Sequence, residues 1–296
     1  MTPWGSNLAM AKLQDRRAEN VGGDFYVDAS CIDCDLCRSI APETYARVGD
    51  QSAVVHQPQS REDSFRALQA LVTCPTSSIG TRARHAVQRA ATSYPEPIDD
   101  GVYFCGFAAE ASFGASSYLI VRSDGNVLVD SPRYASLLAR GIDALGGVRT
   151  IFLTHRDDIA DHARWARRFG AERVLHAADQ TRATRNVEHT VHGTEPVELR
   201  PGLRVIPTPG HRRGHACLLL DERYLFAGDH LWWSPRQGRV IASPDVCWYS
   251  WREQLRSVER LLQHRFEWIL PGHGRRFHAP VEEMHAQLRN ILSAAR

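Results

Sequence analysis

The sequence predicts an α/β chain in two parts, a small cysteine-bearing module followed by a larger layered α/β domain. Three observations carry this. Four of the seven cysteines fall in the first quarter, with Cys31, Cys34 and Cys37 inside seven residues and Cys74 apart from them. From Gly101 onward, strand-like and helix-like apolar runs alternate, the pattern of sheets layered with helices. Four of the later apolar strands end in loops that carry His and Asp.

The 296 residues suffice for about two ordinary domains, and 43% hydrophobic with 24% charged residues excludes disorder as the default. No run of about eighteen apolar residues occurs, so no membrane span is expected. The first twenty residues lack the apolar stretch of a secretory signal, and the expectation is a cytoplasmic protein with a flexible extension over 1–23. Of the 36 basic residues only Lys12 is a lysine, and acids are interleaved with the arginines, as in Arg61-Glu62-Asp63. The net charge of +2 hides no basic face, so no nucleic-acid partner is expected.

In the first module, Asp24–Val27 reads as a short strand and Gln51–His56 as another. Arg61–Val72 is helical in period (Phe65, Leu68, Leu71, Val72) and delivers Cys74, after which Ser78–Gly80 leaves as a strand. Thiolates three residues apart can turn toward a common centre, and a distant fourth closes the cage. Four thiolates with Pro after the remote one hold iron–sulfur clusters this way. A structural zinc is the alternative, although zinc sites usually pair their cysteines two and two. Cys105, Cys217 and Cys247 stand singly in apolar or Trp-flanked contexts and read as buried small hydrophobes.

Residues 24–82 resemble the small single-cluster bacterial ferredoxins in Cys31, Cys34 and Cys37, the following Ala41-Pro42-Glu43, and Cys74-Pro75-Thr76. The resemblance implies a ferredoxin-like α+β domain and, because Cys34 is present, a [4Fe-4S] cluster rather than a three-iron one. Residues 83–100, with Pro95 and Pro97, read as a linker.

The second domain is expected over 101–296. Strands are expected at Val102–Cys105, Ser117–Arg122, Asn126–Asp130, Thr150–Leu153, Leu203–Ile206, Cys217–Leu220, Tyr224–Ala227 and Trp268–Leu270. Helices are expected at Tyr134–Leu145, Ala160–Phe169, Trp251–Gln263 and Val281–Ala294. The chemistry-bearing loops are Thr154-His155-Arg156-Asp157-Asp158 running to Asp161-His162, Thr208-Pro209-Gly210-His211 running to His215, Gly228-Asp229-His230, and Pro271-Gly272-His273-Gly274. Strand ends on one sheet edge converge. Imidazoles with a bridging carboxylate suit one or two divalent ions, zinc or iron.

These motifs resemble the metallo-β-lactamase-fold hydrolases over about residues 101–296. The family's pattern matches His155, Asp161-His162, His211, Asp229 and His273 in chain order, with Asp130 at its early supporting aspartate. The resemblance implies an αββα sandwich with metals at one edge. Carried across, His155 and His211 hold the first metal, Asp161, His162 and His273 the second, and Asp229 bridges. The family's second histidine is missing here, and Asp157 stands in its place, with two additional residues before Asp161. Either Asp157, or Asp158 after a local rearrangement, is then the oxygen ligand, or the first metal is weak or absent; the harder donor set tilts selection toward iron or manganese. His215 reads equally as a supporting or substrate-contacting group and as a strand start. His230 reads as orienting Asp229 or as packing with Trp232 and Trp233.

The expected function is a metal-dependent hydrolase of a small-molecule ester, thioester or related substrate, with Asp161 and Asp229 as catalytic residues. The loop wording is most similar to glyoxalase-II-like members, but only 23 residues follow His273, room for one helix and too little for their thiol-binding segment. The alternatives are a redox enzyme that couples the cluster to iron and an electron-transfer partner, and a non-catalytic redox sensor.

Overall fold

The computed structural model describes residues 11–295 and divides into two compact units. Of the described residues, the first holds 11–115 together with Pro132–Leu145, and the second holds Ser116–Ser131 and 146–295.

In the first unit, β1 (Phe25–Val27) pairs antiparallel with β4 (Ile79–Thr81), and β2 (Tyr45–Val48) forms a hairpin with β3 (Gln51–Val54). Between them lie α1 (Leu36–Ile40) and α2 (Arg61–Thr73). A capping box starts α2: Ser60 accepts from the Asp63 amide while Asp63 accepts from the Ser60 amide. Pro75 disfavours helical geometry at the residue before it, so α2 stops and Cys74 leaves the helical region (φ -53°, ψ 120°).

Of the expected extension over 1–23, residues 1–10 lie outside the described residues. Within residues 11–23, Arg17 and Asn20 are buried and most of the others are exposed. Leu13–Asp15 is a single 3-10 turn, buried Arg17 donates to the Ser52 carbonyl at 2.6 Å, and Asn20 bonds the backbone of Val27 and Val54. Short strands leave backbone groups unpaired, and these two side chains satisfy them. The stretch expected as a linker carries α3 (Val87–Thr92) and β5 (Glu96–Asp99), and β5 pairs with β6 (Val102–Phe104). Helix α4 (Ser136–Ala144) completes this unit; Gly141 lies so close to the Tyr94 carbonyl that a Cβ would stand 2.6 Å from it.

The second unit contains two sheets. In one, β7 (Tyr118–Ile120), β8 (Val127–Val129), β9 (Thr150–Phe152), β10 (Glu172–His176) and β11 (His189–Val191) lie side by side in that order, all pairs parallel except β7–β8. Helix α5 (His162–Phe169) crosses between β9 and β10 and buries His162, Trp165 and Ala166, one face at i, i+3 and i+4. The other sheet runs β12 (Val197–Arg200), β13 (Leu203–Pro207), β14 (Ala216–Leu220), β15 (Tyr224–Gly228), then β18 (Trp268–Pro271) and β19 (Phe277–His278). The hairpin of β16 (Trp232–Ser234) and β17 (Arg239–Ile241) and helix α6 (Trp251–Leu261) lie between β15 and β18, and α7 (Val281–Ala294) ends the unit.

Alternation along β15 sets the layering. Leu225 and Ala227 join Val258, Leu261, Met284, Leu288 and Ile291 of α6 and α7 in one buried cluster. Phe226 points the other way and meets Tyr118 of β7, ring centroids 5.6 Å apart. Two sheets thus pack face to face with α6 and α7 outside one of them. Among the described residues no helix is long and apolar enough to cross a membrane.

Candidate metal centre

The four early cysteines line one cavity of the first unit, beside Val27, Ser52 and Ile79. Left-handed turns at Asp33 (φ 59°) and Asp35 (φ 67°) fold the Cys31–Cys37 loop, and aspartate tolerates that region better than most side chains. Buried Arg38 locks the loop by bonding Asp33 at 2.6 Å, Asp35 at 2.5 Å and Ser52 Oγ at 2.8 Å. Gly114 closes over the cradle, where a Cβ would come within 2.7 Å of the Cys34 Cβ. Burial pushes the Cys37 thiol up to about 12, with the Cys74 charge adding to it, and raises Cys34 and Cys74 as well. Four thiols gathered in one cavity cannot all ionise without a cationic partner, so the cradle fits a metal cluster.

In the second unit, His155 follows β9 and His211 follows β13. His211 Nδ1 lies 2.7 Å from the Val246 carbonyl. A carbonyl only accepts, so Nδ1 carries the proton and Nε2 is a bare lone pair. Thr154 Oγ1 lies 2.9 Å from His155 Nδ1 and about as close to both carboxylate oxygens of Asp130, at 3.1 and 3.0 Å. With the hydroxyl donating to Asp130, it accepts from His155 Nδ1, and His155 Nε2 is bare too. Asp130 is set for this at the end of β8 by a left-handed turn (φ 55°).

Both lone pairs face oxygen acceptors. His211 Nε2 is 3.4 Å from Asp157 Oδ2 and 3.7 Å from Asp229 Oδ2; His155 Nε2 is 3.6 Å and 3.7 Å from the same atoms. Buried imidazole nitrogens without a hydrogen-bond partner, turned toward carboxylates, are what a divalent ion satisfies. Asp158 is fully buried with neither carboxylate oxygen bonded. His273 Nδ1 sits 2.8 and 2.9 Å from the Asp229 oxygens. A Cβ at Gly272 would stand 2.6 Å from Asp158 Oδ2 and 2.8 Å from Asp229 Oδ1, so glycine lets the carboxylates close in. Two ligand groups result, His155–Asp157–His211 and His155–Asp158–Asp229, each with its donor atoms within 4.8 Å of one another.

Asp161 and His162 belong to neither group. The two additional residues carry them past the loop: Asp161 is the N-cap residue of α5, and buried His162 opens the helix with Arg173, Glu188 and Asp161 as its charged neighbours. Asp158 stands in the second group where the motif match puts Asp161 and His162, and Asp157 and Asp158 belong to one group each. The signal for this was the acidic pair directly behind a strand end.

His215 is buried and uses both nitrogens, accepting the Asp229 amide at 3.2 Å and meeting Thr208 Oγ1 at 2.8 Å. It fixes the Asp229 turn. His230 is fully buried against the His215 ring, centroids 5.6 Å apart. Cys105 and Cys217 are buried as expected, whereas Cys247 is half-buried on the loop beside His211 and donates to the Gly210 carbonyl.

The electrostatics follow burial. It lowers His155 to about 4 and His230 to about 3, raises Asp130 to about 8, and lifts Asp158 well above the carboxylate range, with the Asp229 charge adding to the last. Burial opposes the ionisation of Asp157 and Asp229 too, but His211 and Arg212 hold the first down to about 2, and the His273 charge and hydrogen bond hold the second low. Burial thus keeps the His155 imidazole neutral while Asp157 and Asp229 stay charged, the states in which these groups bind metal.

Residues 27–81 match the family profile described as "4Fe-4S single cluster domain of Ferredoxin I". Residues 99–289 match the profile described as "Metallo-beta-lactamase superfamily". The uncharacterized protein YmaE of Bacillus subtilis (strain 168) is 28% identical over 149 residues, 45% of this chain and 54% of its own. A hydroxyacylglutathione hydrolase of Acidiphilium cryptum (strain JF-5) is 31% identical over 119 residues, 39% of this chain and 48% of its own. The chain thus spans about half the length of these curated relatives. The DIM-1 metallo-beta-lactamase is similar in fold, with a TM-score of 0.53 at 15% identity over 68% of this chain and 96% of that one. With two-thirds of its length on the profile and the His and Asp loops at one place, the chain belongs to the metallo-beta-lactamase superfamily.

Proposed function

We propose that the second unit is a metal-dependent hydrolase of small ester or thioester substrates, and that the first unit holds a [4Fe-4S] cluster on Cys31, Cys34, Cys37 and Cys74. One observation carries the hydrolytic reading: the buried Nε2 atoms of His155 and His211 have no hydrogen-bond partner and turn toward Asp157 and Asp229. His155, Asp157 and His211 would hold one ion, Asp158 and His273 would hold a second, and Asp229 would bridge. Divalent ions, when bound, polarise a scissile carbonyl and acidify a water.

The chain's own residues prepare the site. The Val246 carbonyl and Thr154 keep the Nδ1 protons on the far side of the two rings, His215 pins the Asp229 turn, and Asp229, held ionised by His273, is the carboxylate placed to bridge and to orient a nucleophile. The equal share of imidazole and carboxylate donors supports iron or manganese beside zinc. The likeness to a hydroxyacylglutathione hydrolase supports a thioester class. Seven cysteines without a disulfide support a reducing, cytoplasmic setting.

A redox enzyme is the second reading, favoured by the His155–Asp157–His211 group, since two imidazoles and one carboxylate make a donor set of non-haem iron. An electron-transfer partner for the cluster would belong to that reading. Protein purified without air, assayed for iron and zinc and offered chromogenic esters and thioesters, separates the two. Hydrolysis lost together with bound metal in His211→Ala and Asp229→Ala supports the hydrolase. Oxygen or nitric oxide consumption with no hydrolysis overturns it.

A further inference from the structure

The residue after His211 is built into the rim of the centre in a way that metal binding does not require. Arg212 Nε donates to Asp157 Oδ2 at 2.6 Å, the same oxygen that faces both bare imidazole nitrogens. Its guanidinium carbon lies over the Trp248 ring, 5.8 Å from the centroid. Trp248 is 60% exposed, yet its backbone is fastened to the centre: the Trp248 amide donates to the His211 carbonyl at 3.0 Å, and the next turn donates from Ser250 to Gly210 at 3.0 Å. One edge of the guanidinium is therefore taken by Asp157 and one face by the indole. Among the described residues the Arg212 side chain has no other hydrogen-bond or ion-pair partner, and 31% of it is exposed. What is left is the pair of Nη groups, a fork that matches a carboxylate.

The position of that fork decides what it is for. Nε and the Nη atoms of one guanidinium are about 2.3 Å apart by standard covalent geometry, so the fork lies within about 5 Å of the Asp157 oxygen. An anion on it would stand one short acyl chain from the metal ligands. Asp157 alone would be held by Nε; a half-open Nη edge, flanked by the exposed Arg213, favours a negative group from outside.

We propose that Arg212 is a specificity-determining residue, and that its Nη fork takes a carboxylate carried by the substrate, so that the preferred substrates are anionic esters or thioesters. This rests on the hydrolytic reading above. The test uses the full chain loaded with metal and two chromogenic esters of equal acyl length, 4-nitrophenyl hydrogen glutarate and 4-nitrophenyl pentanoate. Arg212→Gln should lower the charged-to-neutral ratio of kcat/KM by about tenfold to a hundredfold, the range of a charge-assisted hydrogen-bond pair, mostly through KM, with bound metal at the wild-type level. Arg212→Lys, which keeps the charge and loses the fork, should recover part of the ratio. An unchanged ratio, or both esters falling together with loss of metal, would reduce Arg212 to a prop for Asp157 and overturn the proposal.

Calorimetry with glutarate reads the same fork without turnover. Glutarate bound about tenfold tighter by the wild type than by Arg212→Gln, with neither ester hydrolysed, keeps the fork and removes the hydrolase. Hydrolysis with equal glutarate binding keeps the hydrolase and removes the fork.

Discussion

The cysteine cradle and the His–Asp centre solve one problem, holding cationic metal in a buried place, by opposite means. In the cradle the donors are alike and local: three thiols come from one loop and the fourth from the end of α2, and every resolved thiol shift is upward. In the centre the donors are mixed and come from four separate loops between His155 and His273, with His155 lowered, two carboxylates lowered and two raised. Alike donors make a site that is either filled or useless. Mixed donors make one in which each member has a separable role.

The largest effects should therefore come from the cradle. Cys37→Ser, which removes a buried thiol bonded to Ser52, should abolish the cluster outright, read as loss of visible absorbance and of about four irons per chain in anaerobic protein, while metal in the second unit stays. In the centre the response should divide. Asp158→Asn should lower kcat/KM by at least about a hundredfold and reduce bound metal, because it alters a buried carboxylate with no other partner. His162→Asn should stay within about threefold in kcat/KM at wild-type metal content, although its burial makes a loss of about 1–3 kcal/mol in stability the expected outcome. Equal losses from the two variants would restore the Asp161-His162 pair to the centre.

That contrast shows how far the sequence could be read. The cradle was legible because its spacing is its geometry: Cys31, Cys34 and Cys37 lie in one loop, and Pro75 fixes where α2 releases Cys74. The convergence of His155, His211, Asp229 and His273 was legible too, since each ends an apolar strand. Which acid follows His155 was not. A motif match carries the ligand role to Asp161, but that role depends on where α5 begins, and helix starts are set by packing: His162, Trp165 and Ala166 share the buried face. Long-range side-chain networks were equally invisible. Nothing local links Val246 to His211 or Arg212 to Trp248. Residues 11–23 are anchored in part by two buried side chains, Arg17 and Asn20, whose partners lie as far off as Val54.

Metal removal sharpens the comparison next. Stripping the second unit with a chelator that spares the cluster should lower stability by about 2.7 kcal/mol relative to protein held at a hundredfold excess of metal over its Kd, seen in denaturant melts, with cluster absorbance unchanged. A melt that does not move would mean the bare imidazoles are satisfied without a cation.

The finest division is in the pH response of metal-free protein, where the two regions should fail at opposite ends. His155, near 4 in the fold, and His230, near 3, stay neutral where the unfolded chain takes up protons below about 6.5. The unfolded state then binds more protons, and stability falls as pH drops from about 6.5 toward 4, by up to about 1.4 kcal/mol per pH unit for each imidazole. Asp130, raised to about 8, works against this, since the fold keeps its proton over an interval in which the unfolded chain has lost it. Asp130→Asn should therefore steepen the acid limb, whereas His230→Phe should flatten it. The cradle acts on the other side. Cys37 holds its proton up to about 12 while an unfolded thiol releases it near 9, so stability falls as pH rises through that interval. Cys37→Ser should flatten only the alkaline limb. Urea melts of the three variants at pH 5, 7 and 10 check all of these, and an acid limb that moved with Cys37→Ser would show that the two regions do not divide the titration as their donors do.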